Sequence, residues 1–338
     1  MTERHKEGDE TESPPITTVL PVDSGKRFWS LFRLKGRFMR MLLTVLLLLL
    51  IARLIELETA IALIRNADWR WMIACFVVVQ LQVLLSAIRW QVTAVRLGQV
   101  LSVPHAVREY YLATLGNLSL PGGITGDAAR VYRNRDAAGV GKSAQSVLIE
   151  RLAGQLALLV VTLGGWVLWP LLMDSAAPEL GEKMILTALL LLVALVLVFR
   201  LVVRFAPPSV ANFMAELGPS LYCAWWADRQ WLVQGALSLG VVATYLAVFA
   251  ICALALQHPL PFVGVVTIVP LVLLSMVIPI SIGGWGVREA VAASLWPVLG
   301  MSAEAGVASS VLYGVISLLA TIPGALWAAL RPSDDRCL

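Results

Sequence analysis

The sequence predicts an all-α integral membrane protein with about six full transmembrane helices and two opposed re-entrant helical hairpins arranged as an inverted repeat. Of its 338 residues, 59% are hydrophobic and 14% are charged, whereas a soluble domain carries about 25% charged residues. Apolar runs long enough to cross a bilayer recur along the chain. Two further apolar stretches are interrupted by matching clusters of proline and glycine, which ordinary spans do not need.

The residues before the first apolar run form two segments of different composition. Residues 1–25 mix Glu, Asp, Thr, Ser and Pro with few large apolar side chains, which predicts a disordered cytoplasmic tail. Residues 26–40 read KRFWSLFRLKGRFMR and form a basic juxtamembrane segment. This segment either lies on an anionic membrane face or orients the first span, and the two roles are compatible. The apolar run from Met41 lacks a small-residue cleavage site, so no cleavable signal peptide is predicted.

Residues 41–330 predict one polytopic membrane domain, and residues 331–338 predict a cytoplasmic C-terminal tail. Judged by length and apolarity, the full spans lie at 41–64, 69–95, 144–170, 183–205, 231–256 and 304–330. The two interrupted stretches lie at about 105–140 and 262–298.

The distribution of basic residues indicates how the chain is oriented. Most of the 26 Lys and Arg residues lie on one side if both interrupted stretches return to the side from which they came. If the first stretch crossed instead, Arg108 and the basic cluster at 130–142 would lie on opposite sides. Residues 173–182 carry acidic residues and no Lys or Arg, as expected of an outer loop. The positive-inside rule therefore favours two re-entrant hairpins and places both termini in the cytoplasm, at a bacterial inner membrane.

This topology makes the chain an inverted repeat. The unit 69–170, which contains a span, a hairpin and a span, recurs upside down as 231–330. In inverted repeats the two halves exchange conformations around a central site, which gives alternating access.

The interruptions themselves predict a binding site. The first reads LPGGITGD at 120–127 and the second reads IPISIGGWG at 278–286. Hydrocarbon offers no partners for backbone N–H and C=O groups, so a broken helix in the bilayer must be buried in protein or line a cavity. Glycine also lets a ligand approach the backbone closely. We therefore expect the two interruptions to border a common cavity.

Charged residues follow each interruption. Asp127 stands where the second half of the first hairpin begins, so it is either a helix cap or part of a site. With Arg130 one turn along, this helix start favours an anionic group such as a lipid phosphate. Arg288 lies in a long apolar region, where an isolated arginine indicates function unless it pairs with Glu289 or Asp127. Trp285 is either an interface anchor or a stacking surface for a sugar or head group.

Charged residues on two of the predicted spans complete the set. Glu150 and Arg151 open the predicted span 144–170, and Arg89 lies near the inner end of the span before the first hairpin. Adjacent residues on a helix point in different directions, so we expect Glu150 or Arg151 to pair with a neighbouring helix. All three could line the entrance of the cavity; for Arg89 the alternative, which we expect, is that its side chain extends to the interface.

The predicted substrate-binding residues are therefore Asp127, Arg130, Arg288, Glu289, Glu150, Arg151, Gly122, Gly123, Gly283, Gly284 and Trp285. No catalytic residue, cofactor or metal site is predicted, because the sequence lacks a His/Cys/Asp cluster, a Walker loop and a nucleophile elbow. The four cysteines lack metal-ligand spacing, and the three that lie in or next to apolar stretches, Cys75, Cys223 and Cys252, are expected to be core residues. Basic residues flank spans rather than one polar face, so no nucleic-acid partner is predicted.

The motifs around the two interruptions resemble those of the lysylphosphatidylglycerol synthase transmembrane family. They are GDAARVY at 126–132, Glu150-Arg151, and PISIGGWGVRE at 279–289, and the resemblance covers about residues 40–330. It implies a flippase-like membrane domain. In the bifunctional synthases this domain is implied to flip aminoacylated phosphatidylglycerol, while a separate soluble domain performs aminoacyl transfer. Because the sequence ends at Leu338, we expect a stand-alone member without that soluble domain, and the lipid remains open.

These observations predict a protein that translocates a phospholipid or a lipid-linked sugar across the inner membrane and is not an enzyme. One alternative is a non-transporting membrane subunit that presents lipid to a partner glycosyltransferase or lipid synthase. A second alternative is an ion-coupled transporter of a small solute, with Asp127 and Glu289 as its acidic groups. The sequence gives neither the direction of transport nor the oligomeric state.

Overall fold

A computed structural model describes residues 39, 41–120, 123–135, 138–173, 208–277 and 281–330, and the elements in these ranges are helical. Those from residue 41 onward belong to one compact unit. The α-helices are α1 (Met41–Leu54), α2 (Leu57–Arg65), α3 (Trp69–Arg96), α4 (Val103–Ser119), α5 (Thr125–Arg133), α6 (Gly139–Met173), α7 (Pro208–Trp225), α8 (Gln230–Ala255), α9 (Phe262–Leu274), α10 (Val287–Leu295) and α11 (Ala303–Leu330). Short 3₁₀ helices cover Ala227–Arg229, Ser275–Val277 and Trp296–Leu299.

Four helices among the described residues are long and apolar enough to cross a membrane. They are α3, α6, α11, and α8 together with the 3₁₀ turn before it, and they correspond to the spans predicted at 69–95, 144–170, 231–256 and 304–330. The span predicted at 183–205 lies outside the described residues. The stretch predicted as one span at 41–64 is not one continuous helix, because the helix is interrupted at Ile55 and Glu56 between α1 and α2.

The first interrupted stretch folds into two helices that pack against each other. Helix α4 ends at Ser119 and α5 begins at Thr125, so the break coincides with the predicted Pro-Gly-Gly cluster. Gly126 rests directly on the backbone of Ala113, and a Cβ at this position would overlap the Ala113 carbonyl. The glycine therefore permits the close packing of α5 on α4.

The second interrupted stretch has the same plan with a longer break. Helix α9 continues into a 3₁₀ turn, and α10 begins at Val287 after a turn over 281–286. Gly283, Gly284 and Gly286 have φ values of +55°, +83° and +86°, which side-chain-bearing residues rarely adopt. The Glu289 carboxylate closes the turn by accepting the Gly286 N–H at 2.6 Å.

Helix packing relates two four-helix units, α3–α6 and α8–α11, in a reciprocal manner. Helices α3, α4, α5 and α6 correspond in order to α8, α9, α10 and α11. When each helix is replaced by its counterpart, a contact between two helices turns into a second contact that the structure also contains. The pairs are α6–α9 and α11–α4, α5–α6 and α10–α11, α3–α4 and α8–α9, α3–α6 and α8–α11, and α6–α8 and α11–α3. Such reciprocity is what two units related by a two-fold axis produce.

Helices α3 and α8 form the centre of this arrangement and run antiparallel. At one end the Asp68 N–H donates to the Ala255 carbonyl at 2.9 Å, and at the other end Arg96 pairs with Asp228 at 2.6 Å. Between these ends the two helices bury apolar side chains, including Cys75 and Cys252. Both cysteines are therefore core residues, as predicted.

Candidate binding site between the two broken segments

The two breaks meet inside the protein. A Cβ placed on Gly283, in the second break, would lie 2.8 Å from the carbonyl oxygen of Leu118, at the end of α4. Gly123, from the first break, and Gly283 both border a cavity of about 260 Å³. The breaks therefore border one common cavity.

Polar and apolar side chains both line the cavity, and we call these two sets its polar wall and its apolar wall. The polar side chains that line it are Arg89, Tyr110, Thr114, Asn117, Asp127, Glu150, Arg151, Gln155 and Tyr245, and the apolar ones are Ala113, Leu118, Leu158, Val241, Val242, Leu273, Leu274 and Met276. The polar residues come from α3, α4, α5, α6 and α8, and the apolar ones come from α4, α6, α8, α9 and the 3₁₀ turn after α9. Such a cavity suits a ligand with a polar head and an apolar remainder.

An alternating chain of charges crosses the polar wall. The Glu150 carboxylate pairs with Arg89 through one oxygen and lies 3.5 Å from Arg130 through the other. Asp127 lies 2.9 Å from Arg130 and also pairs with Arg151. Four of these side chains are buried, and Arg151 is 34% exposed. We call these five residues the ionic chain; it begins and ends on an arginine and joins α3, α5 and α6.

Arg130 lies at the middle of the ionic chain, between two aromatic rings. Its guanidinium carbon is 4.3 Å from the Trp90 ring centroid and 4.8 Å from that of Tyr110. Its Nε and Nη1 atoms are buried without a hydrogen-bond partner, so the rings replace part of the lost hydration by cation–π attraction. Arg130 is 1% exposed and lies behind the cavity wall.

The tip of the first hairpin is held by an asparagine that the sequence analysis did not single out. The Asn117 Oδ1 accepts the N–H groups of Gly126 at 2.9 Å and Asp127 at 3.3 Å, which are unsatisfied donors of the first turn of α5. Its Nδ2 donates to the Asp127 carboxylate at 3.1 Å. Of the two roles considered for Asp127, the capping role belongs to Asn117, and the Asp127 carboxylate pairs with arginines at the cavity.

Arg151 connects the hairpin to α6 at the cavity surface. Besides its pair with Asp127, it donates to the Gly123 carbonyl at 3.3 Å. Glu150 and Arg151 both line the cavity and both pair with other helices. Pairing with a neighbouring helix was expected of one of them and is found for both, since Glu150 pairs with Arg89 of α3 and Arg151 pairs with Asp127 of α5.

The second hairpin carries a separate cluster of charges. Arg288 donates to the Glu289 carboxylate at 2.7 Å and to the Ser310 hydroxyl at 2.8 Å, and both charged residues are 1% exposed. The guanidinium carbon lies 5.0 Å from the Trp285 ring centroid and 5.1 Å from that of Tyr313. We call this the closed cluster; like Arg130, Arg288 lies between a tryptophan and a tyrosine.

The structure thus divides the predicted site residues into groups. Those that line the cavity are Asp127, Glu150, Arg151, Gly123 and Gly283. Arg130 lies directly behind them, Gly284 packs against Met276 of the cavity wall, and Arg288, Glu289 and Trp285 form the closed cluster. Of the possible partners for Arg288, the structure selects Glu289 and not Asp127. Gly122 lies outside the described residues.

Arg89 is the main residue whose position was predicted wrongly. Instead of extending to the interface, its side chain is buried at 3% exposure and pairs with Glu150. Gly154, one turn along α6 from Glu150, leaves room for the guanidinium; a Cβ there would lie 3.1 Å from Nη2. Among the described residues, no group of three or more His, Cys, Asp or Glu side chains is placed to hold a metal ion.

Four candidate spans and two broken helices at a common cavity, in a chain whose described elements are all helical, define a multi-pass membrane protein. Residues 37–324 match the lysylphosphatidylglycerol synthase TM region, so the chain belongs to that family, as its motifs predicted. No curated protein matches the chain. The matched region is named as a membrane region, and its name states no catalytic activity for it.

Proposed function

We propose that the protein translocates a phospholipid or a lipid-linked sugar between the leaflets of a bacterial inner membrane, with both chain termini in the cytoplasm. The observation that carries this proposal is the meeting of two broken helices at one cavity, whose polar wall bears charges. Backbone breaks inside a membrane protein are stable only where protein or a cavity satisfies them. Transporters built from inverted repeats place their substrate sites at such breaks.

The size of the cavity supports entry of a lipid head group and not of a whole lipid. Its volume of about 260 Å³ is just below the range of roughly 300–1,000 Å³ that holds a drug-sized ligand. A phosphate with a small substituent matches this space, while the acyl chains remain in the surrounding hydrocarbon. The apolar wall, which includes Leu273 and Leu274 of α9, lies where the head group joins those chains.

The two charge clusters suggest how passage proceeds. In the described conformation the ionic chain borders the cavity, whereas the Arg288–Glu289 pair is closed by its own contacts. Because the packing of α3–α6 and α8–α11 is reciprocal, exchange of conformations between the units would open the closed cluster and close the ionic chain. On this proposal, Arg130 and Arg288 act on the phosphate at different stages, with Asp127 and Glu289 balancing their charges.

Leaflet exchange in vesicles tests the proposal. The full chain is reconstituted into liposomes with lipids that carry a fluorophore on one acyl chain, and a membrane-impermeant reductant then bleaches the outer leaflet. A functional translocator brings inner-leaflet label to the surface, so bleaching proceeds past the outer-leaflet fraction. Empty liposomes serve as the control.

Bleaching that stops at the outer-leaflet fraction, with correctly folded protein, would contradict translocation. A partner glycosyltransferase or lipid synthase recovered in mild detergent would then favour the lipid-presenting role. Uptake of a soluble solute that depends on a pH gradient would favour the ion-coupled role instead.

A further inference from the structure

The charge balance of the ionic chain indicates which lipids the cavity accepts. Arg89, Arg130 and Arg151 contribute three positive charges, and Asp127 and Glu150 contribute two negative ones. Among the described residues, Arg89, Asp127, Glu150 and Arg151 are the charged groups that line the cavity, and Arg130 pairs with both carboxylates. The undescribed residues at the breaks, 121–122 and 278–280, are Pro, Gly and Ile and add no charge. The ionic chain therefore carries one positive charge that its own carboxylates do not compensate.

The two ends of the ionic chain are the positions where this charge is available. Arg89 lines the cavity, is 3% exposed and has a buried Nε without a hydrogen-bond partner. Arg151 lines it as well and is 34% exposed. A buried charge without a counterion is costly in a low-dielectric interior. A singly charged anion between these guanidinium groups would neutralise the chain and supply the missing acceptor.

The carboxylates, in contrast, are each already paired with two arginines. Both oxygens of Glu150 face an arginine, and Tyr110 also donates to one of them at 3.2 Å. Both oxygens of Asp127 face an arginine, and Asn117 donates to one of them. An ammonium group in the cavity would compete with these arginines for the carboxylates and would add to a positive charge that is already in excess.

We propose that the cavity selects lipids whose head group is a phosphodiester with one net negative charge and no ammonium. Phosphatidylglycerol and singly charged phosphodiester glycolipids belong to this class. Zwitterionic phosphatidylethanolamine and positively charged aminoacyl phosphatidylglycerol do not. The inference rests on the proposed function, because it assumes that a lipid head group occupies the cavity.

Competition between matched lipids tests the selection. The full chain in mild detergent is incubated with equal amounts of phosphatidylglycerol, phosphatidylethanolamine and lysylphosphatidylglycerol that share the same acyl chains, and the retained lipids are quantified by native mass spectrometry. We expect phosphatidylglycerol to be retained about tenfold over each of the others, which corresponds to a difference of about 1.4 kcal/mol in binding free energy. Equal retention, or preference for a lipid that carries an ammonium, overturns the inference.

Three variants separate charge from shape. Arg151→Gln removes the uncompensated charge and leaves Asp127 with Arg130 and Asn117, so the preference should fall to about onefold to twofold while the protein stays folded. Arg151→Lys retains the charge and should retain most of the preference. Arg96→Gln alters an arginine that pairs with Asp228, away from the cavity, and should leave the preference unchanged. Loss of preference in Arg151→Lys or Arg96→Gln contradicts the charge argument.

Two further arms identify the source of the anion and separate this inference from the proposed function. Excess inorganic phosphate should not displace phosphatidylglycerol; complete displacement would identify a free-anion site and overturn selection of lipids. Leaflet exchange is then measured for each lipid. Exchange of all lipids at equal rates contradicts the selection but not translocation, whereas selective binding without exchange contradicts translocation but not the selection.

Discussion

At the scale of single residues, Glu150 connects the ionic chain because each of its oxygens faces a different arginine. Substituting Glu150→Gln leaves Arg89 and Arg130 buried with one fewer counterion. Removing one partner of a buried ion pair costs about 3–5 kcal/mol. We therefore expect a clear loss of thermal stability in detergent, measured by the temperature at which the protein unfolds.

The pair of Arg96 and Asp228 supplies the matched control for that substitution. It joins α3 to the turn before α8, and the Asp228 side chain is 74% exposed. Asp228→Asn should cost less than about 1 kcal/mol, as exposed ion pairs do. If Glu150→Gln unfolds at the same temperature as Asp228→Asn, Glu150 does not stabilise the buried arginines.

Arg288 requires a different design, because truncating it alone leaves the Glu289 carboxylate buried and unpaired. Arg288→Ala should therefore destabilise the fold, whereas the double substitution Arg288→Met with Glu289→Gln replaces the pair by neutral groups of similar size, which is often tolerated. We expect the double variant to fold and to lose leaflet exchange. A folded double variant with full exchange would show that Arg288 takes no part in passage.

Single residues also show where sequence reasoning succeeds. The prediction that Glu150, Arg151 and Asp127 are associated with the breaks needed only their spacing and charge. The partner of each charge could not be predicted, because it depends on how helices distant in sequence approach. Arg89 illustrates this, since an arginine near a span end extends to water in most settings, and only the cross-helix approach of Glu150 makes burial stable.

At the scale of the elements, the contact between the two breaks depends on Gly283. A side chain there must adopt φ +55° and would also press on the Leu118 carbonyl, 2.8 Å away. The backbone conformation alone costs about 1–3 kcal/mol. We expect Gly283→Ala to reduce leaflet exchange strongly, because it forces the breaks apart at the cavity.

Gly98 separates the effect of backbone strain from that of the clash. It has φ +83° in the turn after α3, and nothing lies within 4 Å of a Cβ placed there. Gly98→Ala should lower stability by a similar backbone term and leave exchange near that of the original protein. Equal losses of exchange in both alanine variants would mean that strain, and not contact between the breaks, limits exchange.

The elements were predictable wherever local chemistry sets their limits. Proline and glycine mark both breaks because they disrupt helices in any context, and the four long spans follow from length and apolarity. The interruption at Ile55 and Glu56 was missed because the surrounding apolar residues dominated the pattern. Arg53, Glu56 and Glu58 cluster at this point and are the signal that could have revealed it.

At the scale of the whole molecule, the structure allows the predicted orientation to be tested. Asn66 lies in the exposed turn before α3, and Val100 is 81% exposed in the turn after it, so the two residues lie at opposite ends of one span. We expect Asn66→Cys to react with a membrane-impermeant maleimide in intact cells. Val100→Cys should react only after the cells are lysed.

Both variants are made in a chain that carries Cys337→Ser, because Cys337 lies in the predicted cytoplasmic tail, and that chain alone is the control. Cys75 and Cys252 are buried and Cys223 is half-buried, so its background labelling should be low. Labelling of Val100→Cys but not Asn66→Cys in intact cells would reverse the orientation derived from the basic residues.

Helix α1 contacts the second break and so gives the two breaks different surroundings. The hydroxyl of Thr44 accepts the N–H of Ile282 at 3.1 Å, and a Cβ on Gly286 would lie 2.9 Å from that of Leu47. This helix stands outside the two reciprocal units, yet it braces the second break. Two conformations that interchange the units would therefore differ in free energy, and the protein would rest in one of them most of the time. Translocation would then start from the preferred conformation, and the rate at which lipid enters that conformation would limit the cycle.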